Sequence, residues 1–230
     1  MEVRFRTALT RMVIALSMLA ASPAAIAAED ISPAETLLFE TNHLKAIRQP
    51  LSLYYDFRKS GSLESPYQDT VEIAIEAVAP DGAKEVSTRY LSGERQRNFP
   101  PVERARGNPV IMYFLERDIH EMQRLTGGNW RYFQKRIRLA LADKAQVRPV
   151  KFRRGREEMN GQEIRITPFA DDPQKARYEK LAGKYYVFVL SDAIPGGVYQ
   201  MRAVAPGEKS AQPDGALIEE TLTFAKASRK

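Results

Sequence analysis

The chain has 230 residues and contains no cysteine, which excludes disulfide bonds, thiolate metal sites and a cysteine nucleophile. It carries 35 Lys and Arg residues against 29 Asp and Glu residues, a formal net charge of +6, and 43% of its residues are hydrophobic. These values predict a folded protein, and the length fits one well-buried core better than two independent domains.

The first residues have the pattern of a secretory signal peptide. Three arginines precede a short apolar run over residues 12–21, and small residues follow up to Ala28. The run is too short to span a bilayer, so we predict cleavage after Ala27 rather than a membrane anchor. No cysteine can carry a lipid, and the mature chain is therefore expected to be soluble in the bacterial periplasm. The predicted organisation is a signal peptide over 1–27, one α+β domain over 28–225 and a flexible tail over 226–230.

Alternating apolar and polar residues predict an antiparallel meander in the first half of the domain. The alternation covers residues 50–57 and 69–78, and a third strand is expected over 85–91. Turns are expected at residues 59–62 and at Pro80-Asp81-Gly82, where Ser, Gly, Pro and Asp favour a reversal of the chain.

A helical hairpin is predicted in the middle of the chain. Asn108 is a suitable N-cap, Pro109 fits the first helical position, and Gly127-Gly128 ends the helix. Asn129 then caps a second helix that extends to Ala142. The two helices are joined by a short glycine link, which is typical of a helical hairpin.

Strand patterns resume after the hairpin. Strands are expected over 147–153, 162–167, 184–190, 198–205 and 216–225, with a short helix near 173–181. We therefore predict an α+β fold, with a curved antiparallel sheet or incomplete β-barrel of about eight or more strands and a central helical hairpin.

The first predicted helix carries one of the two histidines, with carboxylates on both sides. Glu116, His120 and Arg124 follow at steps of four, so their side chains can touch. A Glu and a His at this spacing can share a metal or act as acid and base, but Arg124 replaces the second histidine of an H-E-x-x-H site. We interpret the row as a solvent-facing ladder, reinforced by a pair between Arg117 and Glu121.

His43 is the other histidine. A site formed by His43, His120 and either Glu116 or Asp118 is the basis of one alternative hypothesis, a metal-dependent envelope hydrolase. No nucleophile elbow, glycine-rich phosphate loop or paired-carboxylate motif accompanies it. We therefore expect no catalytic residue, no bound metal and no cofactor.

The positive charge is concentrated in one segment. Residues 131–156 contain ten basic residues and only one acid, Asp143, so the segment carries +9 (10 − 1). The ten are Arg131, Lys135, Arg136, Arg138, Lys144, Arg148, Lys151, Arg153, Arg154 and Arg156. Such a segment favours anionic partners through an attraction that added salt weakens. An exported chain rarely meets nucleic acid, so envelope lipids and polymers are the expected anions.

The second predicted helix is both basic and amphipathic. Its apolar stripe is Trp130, Phe133, Ile137 and Leu141, and its basic face is Arg131, Lys135 and Arg138. A face of this kind can meet lipid phosphates while the stripe meets an acyl chain or the protein core. The alternative is that the stripe is ordinary core and the bases are a solvated surface.

Two strand segments and the helical hairpin also carry a resemblance to a known group of proteins. They are Leu51-x-Leu53-x-Tyr55-x-Phe57, Val71-x-Ile73-x-Ile75 and the apolar helices over 109–142. Together they resemble the periplasmic lipoprotein-carrier superfamily of LolA and LolB. This resemblance implies an incomplete β-barrel whose concave face is covered by helices and accepts acyl chains. The segments 107–111 and 190–196 also resemble uncharacterised proteobacterial exported proteins, a likeness that implies no activity.

The leading hypothesis is a non-enzymatic periplasmic carrier or binding protein for an anionic amphiphile, a lipid or an acylated molecule. Apolar side chains would line a cavity, and bases at its rim would hold the head group. The apolar candidates are Phe57, Ile73, Phe114, Leu115, Trp130 and Phe133, and the basic candidates are Arg131, Lys135, Arg138 and Lys151. Peripheral membrane contact is compatible with this hypothesis. A second hypothesis is an envelope interaction module whose basic face docks an acidic protein.

Overall fold

The structure is a computed structural model that describes residues 31–207 and 215–229, apart from the side chain of Glu179. The predicted signal peptide, its cleavage site and the predicted start of the domain at residue 28 lie outside the described residues, so they stay predictions. In the described ranges, no helix is long and apolar enough to cross a membrane.

A single curved and unclosed antiparallel sheet dominates the described part of the chain. Its strands are β1 (Leu51–Ser60), β2 (Tyr67–Val78), β3 (Lys84–Tyr90), β4 (Arg97–Asn98), β5 (Val102–Ala105), β6 (Gln146–Arg154), β7 (Glu157–Ile166), β8 (Tyr185–Leu190), β9 (Val198–Pro206) and β10 (Ala216–Arg229). The order across the sheet is β4-β3-β2-β1-β10-β9-β8-β7-β6, and β5 also pairs with β3. The predicted α+β fold with an incomplete barrel is confirmed.

Three α-helical segments accompany the sheet in the described ranges. They are α1 (Pro33–Glu35), which continues as a π-helical segment over Thr36–Glu40, α2 (Val110–Thr126) and α3 (Trp130–Asp143). Short 3-10 segments occupy Gly93–Arg95 and Lys175–Leu181. Helix α2 ends at Gly127, whose φ of +66° is a left-handed conformation that glycine adopts without a steric penalty. The predicted helical hairpin is therefore confirmed.

The core lies between the sheet and the α2–α3 hairpin. On β1, Leu53, Tyr55 and Phe57 alternate with more exposed residues and face inward, as their period of two predicts. The predicted stripe of α2 is buried against this core; it comprises Ile111, Leu115, Ile119 and Met122. On α3, Phe133, Ile137 and Leu141 are buried, whereas Trp130 is only partly buried.

Several predicted boundaries differ from the structure. Strand β7 begins at Glu157, five residues earlier than expected, because it forms a continuous hairpin with β6. The expected flexible tail instead continues β10 to Arg229, whose backbone pairs with Leu51 of β1. The segment between β3 and α2, for which no strand was predicted, contains the short strands β4 and β5. Helix α1 was not predicted at all.

Candidate functional site

A groove with a volume of about 980 Å³ lies on the helical side of the molecule. One wall is α1 with the π-helical segment after it, and a second is the segment from Val102 to Pro109. The other two walls are α2 and α3. We call this cavity the helical groove.

The helical groove is mainly apolar. Its floor consists of buried side chains from three helical segments, Leu38, Ile111, Leu115, Ile119, Ile137 and Leu141. Phe39 and Met112 lie at its edge with 38% and 50% of their surface exposed. Large apolar side chains that remain exposed beside an apolar concavity are typical of a binding surface.

Charged side chains also line the groove. Arg138 of α3 is exposed and has no ion-pair partner among the described residues. Arg106 is exposed and its guanidinium is 3.9 Å from the carboxylate of Asp81, at the limit of an ion pair. Of the two carboxylates, Glu35 accepts a hydrogen bond of 3.1 Å from the backbone N–H of Ser32 as part of a helix cap. Glu116 is exposed on α2, so the lining carries both signs of charge.

One end of the groove is held in place by a buried amide. The side chain of Asn108 donates hydrogen bonds to the hydroxyl of Tyr55 at 2.8 Å and to the carbonyl oxygen of Gly196 at 2.9 Å. Its oxygen accepts from the backbone N–H of Val110 at 3.2 Å, which caps the start of α2. Asn108 was predicted as the cap of this helix, but its links to β1 and to the turn after β8 were not.

His43 lies beside this buried amide. Its Nε2 is 2.9 Å from the carbonyl oxygen of Leu37, and its Nδ1 accepts the backbone N–H of Asn108 at 3.2 Å. A carbonyl only accepts, so Nε2 carries the proton and the ring is the neutral tautomer. Burial lowers the pKa of His43 below its ordinary value, outweighing the hydrogen bond to Leu37.

His120 has a different environment. It is exposed on α2, and its ring centroid is 6.0 Å from that of Trp130 at the edge of the groove. Both nitrogens of His43 are already engaged elsewhere, so the structure does not arrange the two imidazoles as ligands of one metal. Within residues 31–207 and 215–229, no group of three or more His, Asp or Glu side chains could hold a metal ion.

Glu121, the carboxylate next to His120 in the sequence, takes part in a partly buried ion network. The ammonium of Lys59 lies 2.6 Å from Glu121 and 3.2 Å from Glu220, and it also pairs with Glu64. Burial opposes the charge on Glu121, but hydrogen bonds from Arg124 and Lys59 outweigh it and lower the pKa of Glu121 to about 2. The network ties α2 to β1 and β10.

The predicted pair between Arg117 and Glu121 is wrong. Arg117 is mostly buried and pairs with Glu220 of β10, while its guanidinium lies over the ring of Phe57 at 4.8 Å. Spacing by four residues shows which side chains share one face of a helix. It gives no information on acidic residues of the sheet, such as Glu220, that pack against this face. The rest of the predicted ladder, Glu116, His120 and Arg124, is exposed.

Helix α2 also carries a fully buried carboxylate, that of Asp118. Asp118 accepts hydrogen bonds from the ammonium of Lys184 at 2.6 Å and from the hydroxyl of Tyr186 at 2.5 Å. All three side chains are almost fully buried, and burial raises the pKa of Tyr186 well above its ordinary value. Both oxygens of Asp118 therefore have partners in the core, and neither points towards His120 as a ligand.

The predicted ligand-binding residues are distributed over several places. Trp130, Arg138 and Leu115 line the helical groove. Phe57, Ile73, Phe114 and Phe133 are at most 1% exposed and form part of the core, and none of them lines the groove. Arg131 and Lys135 line a separate cavity of about 630 Å³ at the start of α3, which Phe133 also borders. Lys151 is on β6, where its ammonium is 2.8 Å from Glu158.

Sequence reasoning missed most residues of the groove. Leu38 and Phe39 belong to helical turns that were not predicted, and Met112 is a single exposed apolar residue on an otherwise regular helix. The sequence did contain one signal for the groove. The apolar stripes of the two helices are larger than contact with the sheet alone requires, and the additional apolar residues are Ile111 and Leu115 on α2 and Ile137 and Leu141 on α3.

Comparison with solved structures found likenesses of low sequence identity. No family model and no curated protein matches the chain. The structure is similar to lipoprotein LppX of Mycobacterium tuberculosis, with 10% identity, a TM-score of 0.36, and coverage of 86% of this chain and 98% of that one. It is also similar to a LolA superfamily protein of Nitrosomonas europaea, with 8% identity, a TM-score of 0.23, and coverage of 86% and 93%. With both TM-scores below 0.5, these likenesses assign no function to the chain.

Proposed function

We propose that the protein is an exported, non-enzymatic binding protein or carrier for an anionic amphiphile of the cell envelope. The helical groove would accept the acyl portion, and Arg138 at its edge would meet the anionic head group. The observation that supports this most is the apolar floor of the groove combined with the exposed side chains of Phe39 and Met112. Soluble proteins rarely leave such a concave apolar surface without a ligand or partner.

The size of the groove is compatible with an acyl chain. Its volume of about 980 Å³ lies at the upper end of the range for small-molecule sites, roughly 300–1,000 Å³. Burying each methylene contributes about 0.8 kcal/mol, so about ten methylenes give a gross gain of roughly 8 kcal/mol before the costs of association. The ligand would therefore be recognised mainly by its chain, and its head group would add specificity.

Arg138 is the base on which the head-group assignment rests. It is the one predicted basic ligand residue that lines the groove, and among the described residues it has no carboxylate partner. A cation without a partner can meet an anionic head group without first breaking an internal ion pair. The proposal therefore replaces the expected rim of four bases with Arg138 at the groove.

The expected location follows from the proposed signal peptide over residues 1–27. A protein exported in this way would meet phospholipids and acylated molecules of the envelope, which are the anionic amphiphiles that fit the groove. We propose that residues 28 onward form the mature chain and act as a single domain.

A binding assay with matched variants tests this function. The probe is a dansyl-labelled undecanoic acid, whose fluorescence rises in an apolar site. Met112→Asp places a charge at the groove edge and is expected to weaken binding about tenfold, since it removes apolar contact and adds a desolvation cost. Leu63→Asp is the control, because Leu63 is comparably exposed, at 46%, and lies outside the groove.

The head-group contact is tested with the same probe and its uncharged methyl ester. Arg138→Gln is expected to weaken binding of the acid while leaving binding of the ester unchanged. The proposal fails if the wild-type protein shows no saturable binding of either probe, or if Met112→Asp and Leu63→Asp behave alike.

A further inference from the structure

The exposed face of α3 carries a row of three bases, of which the proposed ligand site uses only Arg138. Arg131, Lys135 and Arg138 are spaced by four and three, so they lie on one side of the helix. All three are exposed, and none has an ion-pair partner among the described residues. We call Arg131, Lys135 and Arg138 the α3 basic row.

The other bases of the same segment have different surroundings. Four are paired with acids, namely Arg136 with Asp172, Lys144 with Asp171, Arg148 with Glu163 and Lys151 with Glu158. The remaining three, Arg153, Arg154 and Arg156, lie at the tip of the β6–β7 hairpin. The unpaired charge of the segment is therefore divided between the α3 basic row and this hairpin tip.

The α3 basic row lies directly beside the helical groove. Arg138 belongs to both, and the guanidinium of Arg131 lies 4.7 Å from the ring centroid of Trp130, which lines the groove. Leu139 on the same helix has 41% of its surface exposed, next to the basic row. Arg and Lys together with an aromatic ring and an exposed leucine are the residues that favour the interface of an anionic bilayer.

We propose that the α3 basic row docks the protein on a bilayer rich in anionic lipid, with the mouth of the helical groove beside the membrane surface. The inference rests on the proposed function, because it gives the groove a route by which an amphiphile passes between bilayer and protein. The bases meet lipid phosphates, and Trp130 and Leu139 lie at the depth of the head groups. Asp143 is the acid nearest to the row on α3, and it lies off the row near the end of the helix.

Vesicle sedimentation tests the docking surface. Delipidated protein is mixed with vesicles of phosphatidylcholine alone or of phosphatidylcholine with phosphatidylglycerol. Binding is expected only to the anionic vesicles and is expected to be lost in about 0.5 M salt, where the Debye length falls to a few ångströms. Arg131→Gln with Lys135→Gln is expected to weaken this binding roughly tenfold or more, since each base contributes severalfold to binding at an anionic surface.

A matched control and a second readout separate this inference from the proposed function. Arg153→Gln with Arg156→Gln removes two unpaired arginines from the hairpin tip and is expected to leave vesicle binding unchanged. Both double variants keep Arg138 and are expected to bind the dansyl fatty acid like the wild type.

Three results would overturn the docking surface. They are failure of the wild-type protein to bind anionic vesicles, an equal loss in both double variants, or binding to soluble polyglutamate in place of vesicles. The last result would favour an acidic protein partner. Normal vesicle binding with no binding of the fatty acid would instead reject the groove and leave the docking surface intact.

Discussion

The side-chain amide of Asn108 donates a hydrogen bond to the carbonyl oxygen of Gly196, 88 residues further along the chain, over a distance of 2.9 Å. The same nitrogen donates to the hydroxyl of Tyr55 on β1. One side chain thus joins the start of α2, the centre of the sheet and the turn after β8. Because this position forms the end of the helical groove, the shape of the groove depends on a buried polar junction.

Replacing Asn108 with alanine is expected to destabilise the fold strongly. The change leaves the Tyr55 hydroxyl, the Gly196 carbonyl and the Val110 N–H without partners in a buried site, and we expect a loss of roughly 2–4 kcal/mol. Urea unfolding followed by circular dichroism gives the free energy of unfolding. Asn98→Ala is the control, because that side chain is exposed on β4, and its effect should stay within about 0.5 kcal/mol. Equal losses in the two variants would contradict the junction.

Two glycines with nearly the same φ allow the cost of steric crowding to be measured apart from the cost of a positive φ. Gly196 has a φ of +82° and Gly82 a φ of +81°. A Cβ at Gly196 would lie 2.5 Å from Leu53 and 2.9 Å from the Asn108 amide, whereas a Cβ at Gly82 meets nothing within 4 Å.

Gly82→Ala should therefore cost only the strain of a left-handed alanine, about 1 kcal/mol, and Gly196→Ala should cost about 2 kcal/mol or more beyond that. The two free energies of unfolding are compared directly in urea. A difference close to zero would show that the turn at Gly196 moves freely away from Leu53 and Asn108.

His43 is expected to make the stability of the fold depend on pH. Burial holds its folded-state pKa below the ordinary value of 6.5, whereas the unfolded chain exposes the ring. As the pH falls below about 6.5, the unfolded state takes up a proton that the folded state does not, so stability decreases by up to about 1.4 kcal/mol per pH unit. Stability from this group is complete above pH 6.5, and the decrease continues until the folded-state pKa is reached.

Urea unfolding measured from pH 8 down to pH 5.5 tests this slope. A change of about 1 kcal/mol in the free energy of unfolding is large enough to be resolved. The variant His43→Gln should have a flatter profile in this window, although it is less stable throughout. His120→Gln should keep the slope, because it leaves the His43 ring unchanged. A wild-type profile that is flat between pH 7 and pH 5.5 would contradict a buried, neutral His43.

Lys59 is expected to be the most sensitive member of the ion network. Lys59→Met leaves the carboxylates of Glu121 and Glu220 without the cation that lies between them, and the expected loss is about 3–5 kcal/mol. The double variant Lys59→Met with Glu121→Gln should recover part of this loss, since it also removes one of the carboxylates that Lys59 neutralises. Lys45→Met, at an exposed pair with Asp192, should change stability by less than about 1 kcal/mol. A small effect at Lys59 would indicate that water screens the network.

The sequence was sufficient for the regular part of the fold. The period of two on β1 and β2 and the caps at Asn108, Gly127 and Asn129 are local signals, and each corresponds to an element close to its predicted limits. Elements defined by distant partners were missed. Strand β4 is two residues long and β5 four, and both exist because β3 offers them an edge. Likewise, Lys226 to Arg229 form a strand because β1 pairs with them.

The site was less predictable for the same reason. The sequence identifies Phe57, Phe114 and Phe133 as large apolar side chains, but only the packing decides that they fill the core while Met112 and Phe39 remain exposed. It identifies Arg117 as a surface base, but Glu220 of β10 makes it a buried one. Trp130 and Arg138 were assigned to the apolar stripe and to the basic face of α3, and both residues line the groove.

Native mass spectrometry of residues 28–230, exported by a bacterial host and purified without detergent, tests the proposed carrier function. A fraction of the protein is expected to have an added mass that lipid extraction identifies as an anionic acylated molecule. This mass should disappear in Met112→Asp and persist in Leu63→Asp. A purely ligand-free mass that stays unchanged when the protein is titrated with envelope lipids would rule the carrier function out.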